Sequence, residues 1–418
     1  MKTRNLTILA IVTAVVVIIA GAAVVWRQSE SRRTVVESAL FPGLIDRLDD
    51  VQAIEITAGA DSFRIARAGE NWVVPAKADF PARFDLVRKA LIQIGELKTI
   101  EAKTADPERH PDLGLAAPAA DVEGAGRRVR LLGADDAELA ALVVGLRARG
   151  ARDMVYVRRA GDDQAWLARS EIDPGAKPMD WIDSLVVKLP FERIRGGVIR
   201  HADGEVVEFS KDVPDATAFE LADLPEGAKV ASALGIDSLA RAIAMLRFDD
   251  VAARENAPVT GEPAAVDSYR TFDGMTVEVK AWANAAAGEE PDAMPTFWVE
   301  IAASYDPAAA APAPAPDSGA SEQDQDEADA EGEEEEPFDP AAETERMVAR
   351  TGRWAFQVPD FKGEQFTMRR ADLIEMPTPE PATAEGGGAD EGGAAAPPEP
   401  GAGAAETPLE GDGEPTTR

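Results

Sequence analysis

The sequence predicts an α+β fold: two tandem modules of antiparallel strands with an amphipathic helix each, preceded by one transmembrane helix and followed by a disordered tail. Three observations carry this. Leu6 to Trp26 is an uncharged apolar run of 21 residues. Between about 51 and 376, short runs alternate apolar with polar residues and are twice interrupted by an apolar stripe of helical spacing. From Pro377 onward the composition is Pro, Gly, Ala and Glu, too poor in apolar surface to offset chain entropy.

The apolar run comes first in the chain. At 1.5 Å rise per residue, about 20 apolar residues cross the roughly 30 Å hydrocarbon core, and a helix satisfies its own backbone there. Leu6, Ile11, Val16, Ile19, Val24 and Trp26 mark this anchor from end to end, with Trp26 suited to the membrane interface. A cleaved signal peptide is the competing reading, with Ala20, Gly21 and Ala22 as its small residues; against it, the apolar run continues through Val24, Val25 and Trp26. Lys2 and Arg4 on one side are balanced by Arg27, Arg32 and Arg33 on the other, so flanking charge does not set the orientation. Residues 1–5 are then a short N-terminal tail and 27–50 a stalk.

The first module spans 51–190. Ile54 and Ile56 alternate with Glu55 and Thr57, and Phe63 and Ile65 with Arg64 and Ala66, across a turn at Ala60-Asp61. Asn71 to Val74 is a short strand around Trp72. Phe84, Val87, Leu91, Ile94 and Leu97 then recur at spacings of three and four, the stripe of a helix lying on a sheet. Strand-like runs follow at about 127–133, 138–146, 153–159 and 164–169, joined by turn compositions into a meander. A short helix over Asp180 to Leu189, containing Trp181, closes the unit.

The same order recurs over 191–376. Arg193–Arg200 and Glu205–Lys211 form a hairpin across Asp203-Gly204. Ile236, Leu239, Ile243 and Leu246 repeat the helix stripe, and runs at about 248–254, 268–272, 275–283 and 296–303 repeat the strands. Trp354–Val358 then corresponds to the run holding Trp166. On this alignment the acidic stretch 306–340 is a disordered insertion within a hairpin connection of the second module, and 377–418 is a disordered acidic tail.

Charge supports that division. Residues 306–340 hold thirteen Asp or Glu and no Lys or Arg, and 377–418 hold nine acids and one Arg, so these stretches carry −21 of the formal −33. The folded part is ordinary in charge. Nucleic acid is excluded as a partner, because binding it requires Lys and Arg to neutralise phosphates.

The chain offers little chemistry. It has no Cys, which excludes disulfides, thiolate nucleophiles and Cys-based metal sites. His110 lies in a loop composition and reads as a solvated loop histidine, and His201 as a strand-end residue; no partner nucleophile is suggested for either. Phosphate-binding and dinucleotide-binding glycine motifs, Gly-x-Ser-x-Gly and His-Glu-x-x-His are missing. Glu333 to Glu336, with Asp324, Asp326, Asp329 and Glu331, lack the spacing of a calcium loop. Trp72, Trp166, Trp181, Trp282, Trp298 and Trp354, most of them in expected strands that alternate with polar residues, read as core packing rather than a ligand platform. No catalytic, cofactor-binding or metal-binding residue is therefore assigned.

A resemblance rests on Asn71-Trp72-Val73-Val74-Pro75, Phe80-Pro81-Ala82, Leu113-Gly114-Leu115 with Pro118, Met154-Val155-Tyr156-Val157 and Ala165-Trp166-Leu167, behind the N-terminal anchor. In this order they resemble the bacterial domain-of-unknown-function family numbered four-three-four-zero, over roughly residues 40 to 376. The resemblance implies a single N-terminal anchor and a place beside ABC-type export permeases and gliding-motility-like auxiliary proteins. It supplies no catalytic residues. The expected function is a non-catalytic accessory protein of the bacterial inner (cytoplasmic) membrane, single-pass, with the bulk of the chain periplasmic. Its expected partners are the lipid bilayer and an ABC-type permease with auxiliary proteins; oligomeric state is not legible. The alternative is a membrane-tethered hydrolase acting on envelope polymers, which requires paired carboxylates about 5 to 10 Å apart around a cleft.

Overall fold

The computed structural model describes residues 37–284, 295–311 and 338–376. The apolar run with Leu6, Ile11, Val16, Ile19, Val24 and Trp26, the middle of the acidic insertion and the tail from Pro377 lie outside the described residues. Among the described residues no helix is long and apolar enough to cross a membrane.

The chain enters the fold at β1 (Ser38–Ala39), which pairs with a strand of the first sheet, and Leu40 and Leu44 behind it are buried. The second half of the expected stalk is thus folded, because it carries apolar side chains that the sheet can cover. β2 (Ala53–Ala58) and β3 (Asp61–Ala68) follow. Their register pairs Ala58 with Asp61, so the turn is Gly59-Ala60, one residue earlier than expected. Gly59 takes φ +62°, which glycine adopts without a Cβ penalty. After β4 (Asn71–Val74) and β5 (Phe80–Pro81) comes α1 (Phe84–Gly95). Val87 and Ile94 are buried, but Phe84 is 60% exposed. At 100° per residue Phe84 stands about 60° away from Val87, at the margin of the stripe. β6 (Lys98–Ala102), β7 (Arg127–Leu132), β8 (Glu138–Arg147), β9 (Met154–Arg159) and β10 (Ala165–Arg169) complete an antiparallel sheet in the order β1-β6-β10-β9-β8-β7-β2-β3-β4-β5.

A single 3-10 turn, Pro178–Trp181, and then β11 (Leu185–Val187) replace the helix expected over Asp180–Leu189. The β-branched pair Val186-Val187 favours extended backbone, and both side chains are buried. The second sheet begins with β12 (Ile194–His201), β13 (Val206–Ser210) and β14 (Glu220–Leu221). β15 (Lys229–Val230), α2 (Ala233–Ile243), β16 (Leu246–Arg247), β17 (Asp250–Ala253), β18 (Ala265–Thr271), β19 (Met275–Asn284) and β20 (Thr296–Tyr305) come next. α3 (Pro340–Thr351), β21 (Trp354–Val358), α4 (Asp360–Phe366), α5 (Arg370–Leu373) and β22 (Ile374–Glu375) end the described chain.

The sheet order is β14-β13-β12-β18-β19-β20-β21-β17. Reading β4-β3-β2-β7-β8-β9-β10-β6 in the first sheet traces the same path. In α2, Ile236, Leu239 and Ile243 are buried, as their spacing predicts, and Leu246 is buried just beyond it.

β20 and β21 are hydrogen-bonded neighbours, pairing Phe297 with Val358, so the acidic insertion does lie within a hairpin connection. Its borders are ordered, however. The Asp306 carboxylate accepts from the Ala308 N–H at 2.9 Å, and the Ala311 N–H donates to the Phe272 carbonyl. The Asp339 carboxylate caps α3 through the Ala341 and Ala342 N–H groups. α3 packs on β20 and buries Thr344, Met347 and Thr351, a face too polar to read as a stripe. One continuous apolar core runs from Ile54, Ile65 and Leu142 through Phe80 to Phe356, Tyr269 and Leu239.

Candidate binding site

The motif residues that carry the family resemblance converge on two structural roles. Val74 and Trp72 are buried on β4, and the chain then turns through Ala78 and Asp79, both at positive φ. This turn delivers Phe80 into the second half of the molecule. Its ring lies edge-on to Phe248, Trp354 and Phe356, with centroids 5.4, 5.0 and 6.0 Å away. The Trp354 indole N–H donates to the Ala78 carbonyl at 2.9 Å, and Lys77 Nζ meets Asp250 at 2.5 Å. Aromatic packing of this kind adds specific geometry to apolar burial, so the two sheets are bolted together at this point.

Leu113-Gly114-Leu115 has a different task. Val143, Ala165 and Leu115 form a small cluster separate from the main core, on the opposite side of β8 from Leu142 and Val144. Gly114 takes φ +66°, and a Cβ there would stand 2.8 Å from Leu146 Cγ. Arg158 Nε donates to the Leu115 carbonyl at 2.9 Å. His110 belongs to this loop and is buried, not solvated: its Nε2 lies 2.8 Å from the Asp163 carbonyl oxygen. His201 ends β12 as expected, also buried, with Nε2 3.2 Å from the Met368 carbonyl oxygen. Neither ring is set beside a nucleophile by these contacts.

Besides a groove of about 490 Å³ beside Phe41, Leu139 and Arg159, two further grooves among the described residues could receive a ligand. One, of about 450 Å³, runs between α1 and the loop 171–181. Its carboxylates are engaged: Asp173 with Arg127 at 2.6 Å, Glu171 with Lys89 at 3.8 Å, and Asp180 with the Ala176 and Lys177 N–H groups. The other, of about 500 Å³, lies on the second sheet beside Arg195, Lys211 and Arg270. Arg270 pairs with Glu208 at 3.0 Å. The Lys211 Nζ donates to the Pro214 carbonyl and sits over the rings of Phe191 and Phe219, and its desolvation lowers the ammonium pKa.

Among the described residues two carboxyl groups have raised proton affinity. Asp249 is raised by partial desolvation and then by the neighbouring Asp360, at an exposed edge outside both grooves. Asp267 is fully buried on β18, and desolvation pushes it well above the ordinary carboxylate range. The Tyr269 hydroxyl donates to Asp267 Oδ2 at 3.1 Å, while Oδ1 has no partner. Sequence reasoning missed Asp267 because it began that strand at 268, although Ala265, Asp267, Tyr269 and Thr271 alternate. Among the described residues no cluster of three His, Asp or Glu is placed to hold a metal. Trp72, Trp181 and Trp354 are buried in the core and Trp166 is packed against it, whereas Trp282 and Trp298, paired across β19 and β20, are buried on the outer face of the second sheet, away from Ala281, Phe297 and Val299; Trp26 lies outside the described residues.

Comparison with known families identifies residues 72–267 with the domain of unknown function DUF4340. The match runs from Trp72 on β4 to Asp267 on β18, a narrower stretch than the motifs suggest. Neither the comparison with curated proteins nor that with solved structures gives a match.

Proposed function

We propose that this chain, with its DUF4340 region at residues 72–267, is a non-catalytic accessory subunit anchored in the bacterial inner membrane. In this reading it is a binding or structural component of an ABC-type export or envelope complex, with its double sheet on the periplasmic side. The junction around Phe80 carries the reading: Trp354, Lys77 and Asp250 hold two equivalent sheets as one body. Such a body keeps its surfaces at a fixed distance from one another, which suits a spacer or docking platform. The groove beside α1 supports the same reading, since its carboxylates are engaged by Lys89, Arg127 and backbone N–H groups.

Crosslinking at native expression, followed by isolation in mild detergent, tests it. A permease and its ATPase are expected with the chain; recovery of the chain alone overturns the proposal. A reporter fused at the C-terminus assigns the side of the membrane. The second reading, a carboxylate-dependent hydrolase of envelope polymers, draws on Asp249 and Asp360. Release of soluble polymer fragments that is lost in Asp249→Asn would replace the first reading with this one.

A further inference from the structure

The hairpin between β8 and β9 ends in Leu146-Arg147-Ala148-Arg149-Gly150-Ala151-Arg152, a basic tip on a strongly acidic protein. Arg147 is used internally, donating to the carbonyls of Arg152 at 2.9 Å and Glu171 at 3.0 Å, which braces the turn. Arg149 and Arg152 are exposed. The adjacent carboxylate, Asp153, lies 3.6 Å from Arg169. Leu146 is 56% exposed and backed by the packed loop at Gly114, so an apolar side chain stands beside the arginines.

The same guanidinium that meets Asp153 also meets Glu37, at 3.6 Å. Glu37 is the first described residue, so the chain enters the fold beside the base of the tip. Ten residues, 27–36, join Glu37 to the apolar run ending at Trp26. Their covalent reach is at most about 35 Å, so the tip lies within reach of the surface in which that run sits. With a formal charge of −33 the protein as a whole is repelled by an anionic surface. Much of that charge lies in 306–340 and 377–418, and screening confines each interaction to about 8 Å. A local cluster of arginines can therefore act on its own.

We propose that the β8–β9 tip is a second membrane contact, in which Arg149 and Arg152 bind the phosphates of anionic lipid headgroups and Leu146 lies against the interface. The inference rests on the anchored reading above. Guanidinium groups suit phosphate because their paired N–H donors match its oxygens. Two attachments, the anchor and the tip, would fix the tilt of the rigid double sheet on the bilayer.

The chain lacks cysteine, which allows one fluorophore to be placed at a time in the full-length protein. Ala151→Cys reports on the tip, and Asp162→Cys, in the β9–β10 turn, on the other end of the same strands. Each is reconstituted into phosphatidylcholine vesicles, with or without phosphatidylglycerol, containing a lipid that carries a nitroxide quencher at headgroup level. Flotation reports anchoring separately. The expected result is quenching several-fold stronger at 151 than at 162 in anionic vesicles. It should fall to the level of 162 in zwitterionic vesicles or on adding Arg149→Glu with Arg152→Glu. A chain that floats with equal quenching at both positions, or with tip quenching indifferent to lipid charge, overturns this proposal alone. A chain that does not float overturns the anchored reading and this one together. If charge reversal leaves quenching intact and releases a co-purified polypeptide, the tip is a protein contact and the proposal fails.

Discussion

The first and second sheets follow one path through their strands but differ at three corresponding places. In the first, the loop between β6 and β7 covers the outer face with Leu115 against Val143 and Ala165. In the second, the loop between β17 and β18 covers Trp282, whose indole N–H donates to the Gly261 carbonyl at 3.3 Å. The edge strand β6 is covered by β1, whereas its counterpart β17 meets Lys77 from the first sheet. The β9–β10 connection is a tight turn, while β20–β21 carries the acidic insertion and α3. Strand register is shared and connections diverge, as expected when register is set by inward-facing apolar residues and loops are free to vary. The borrowed edge cover also makes the second sheet depend on the first.

That dependence is broken most directly at Phe80. Phe80→Ala should cost about 3–5 kcal/mol, lowering the denaturation midpoint and splitting one transition into two. A variant that melts as the parent does would mean the sheets are energetically independent.

The two outer loops can be set against each other next. Gly114→Ala puts a Cβ 2.8 Å from Leu146 Cγ at φ +66°, whereas Gly261→Ala, at φ +73°, meets nothing within 4 Å. The first should lose about 2–3 kcal/mol from strain plus overlap, the second about 1 kcal/mol from the left-handed backbone alone. Equal losses in thermal melts would remove the distinction.

The inward positions of β7 hold Val129 and Leu131, where β18 holds Asp267 and Tyr269. Because the folded state raises the Asp267 pKa, it binds a proton that the unfolded chain releases. Stability is therefore greatest below the ordinary carboxylate range and falls as pH rises from there toward the folded value. Asp267→Asn lacks this dependence, so its stability relative to the parent should grow with pH by up to about 1.4 kcal/mol per unit. Parallel slopes in pH-dependent unfolding would show that Asp267 is not protonated in the fold.

The smallest effect is expected at the edge. The Lys77 and Asp250 side chains are 20% and 35% exposed. Lys77→Met should cost at most about 1 kcal/mol, less at high salt. A larger, salt-independent loss would put the edge on a par with the Phe80 packing in holding the sheets together.

Much of this architecture is legible in local pattern. Ile54 and Ile56, Phe63 and Ile65, and the stripe Ile236, Leu239, Ile243 mark strands and a helix because one face of each must leave water. Trp72 and Trp354 follow the same alternation, while Trp282 and Trp298 fall on the opposite face of their strands and are buried only because a loop covers them. Patterning fails where a residue's fate depends on distant chain. His110 sits in a loop composition yet is buried, because the loop folds back onto β8. α3 shows Thr344, Met347 and Thr351 in place of a stripe, because β20 supplies the apolar partner. Phe84 fits the periodicity and stays exposed.

Taken alone, then, the sequence determined the apolar run at 6–26, most of the long strands and the two striped helices, the recurrence of their order and the placement of acidity in 306–340 and 377–418, but not β6, β11 or α3. Each follows from period, composition or charge within a short window. Only the tertiary structure decided that the two sheets are bolted through Phe80, that Asp267 is buried with an unpartnered oxygen, and that the chain enters beside the arginine tip. Those outcomes depend on which surfaces meet across more than a hundred residues, and local pattern does not record pairing at that range.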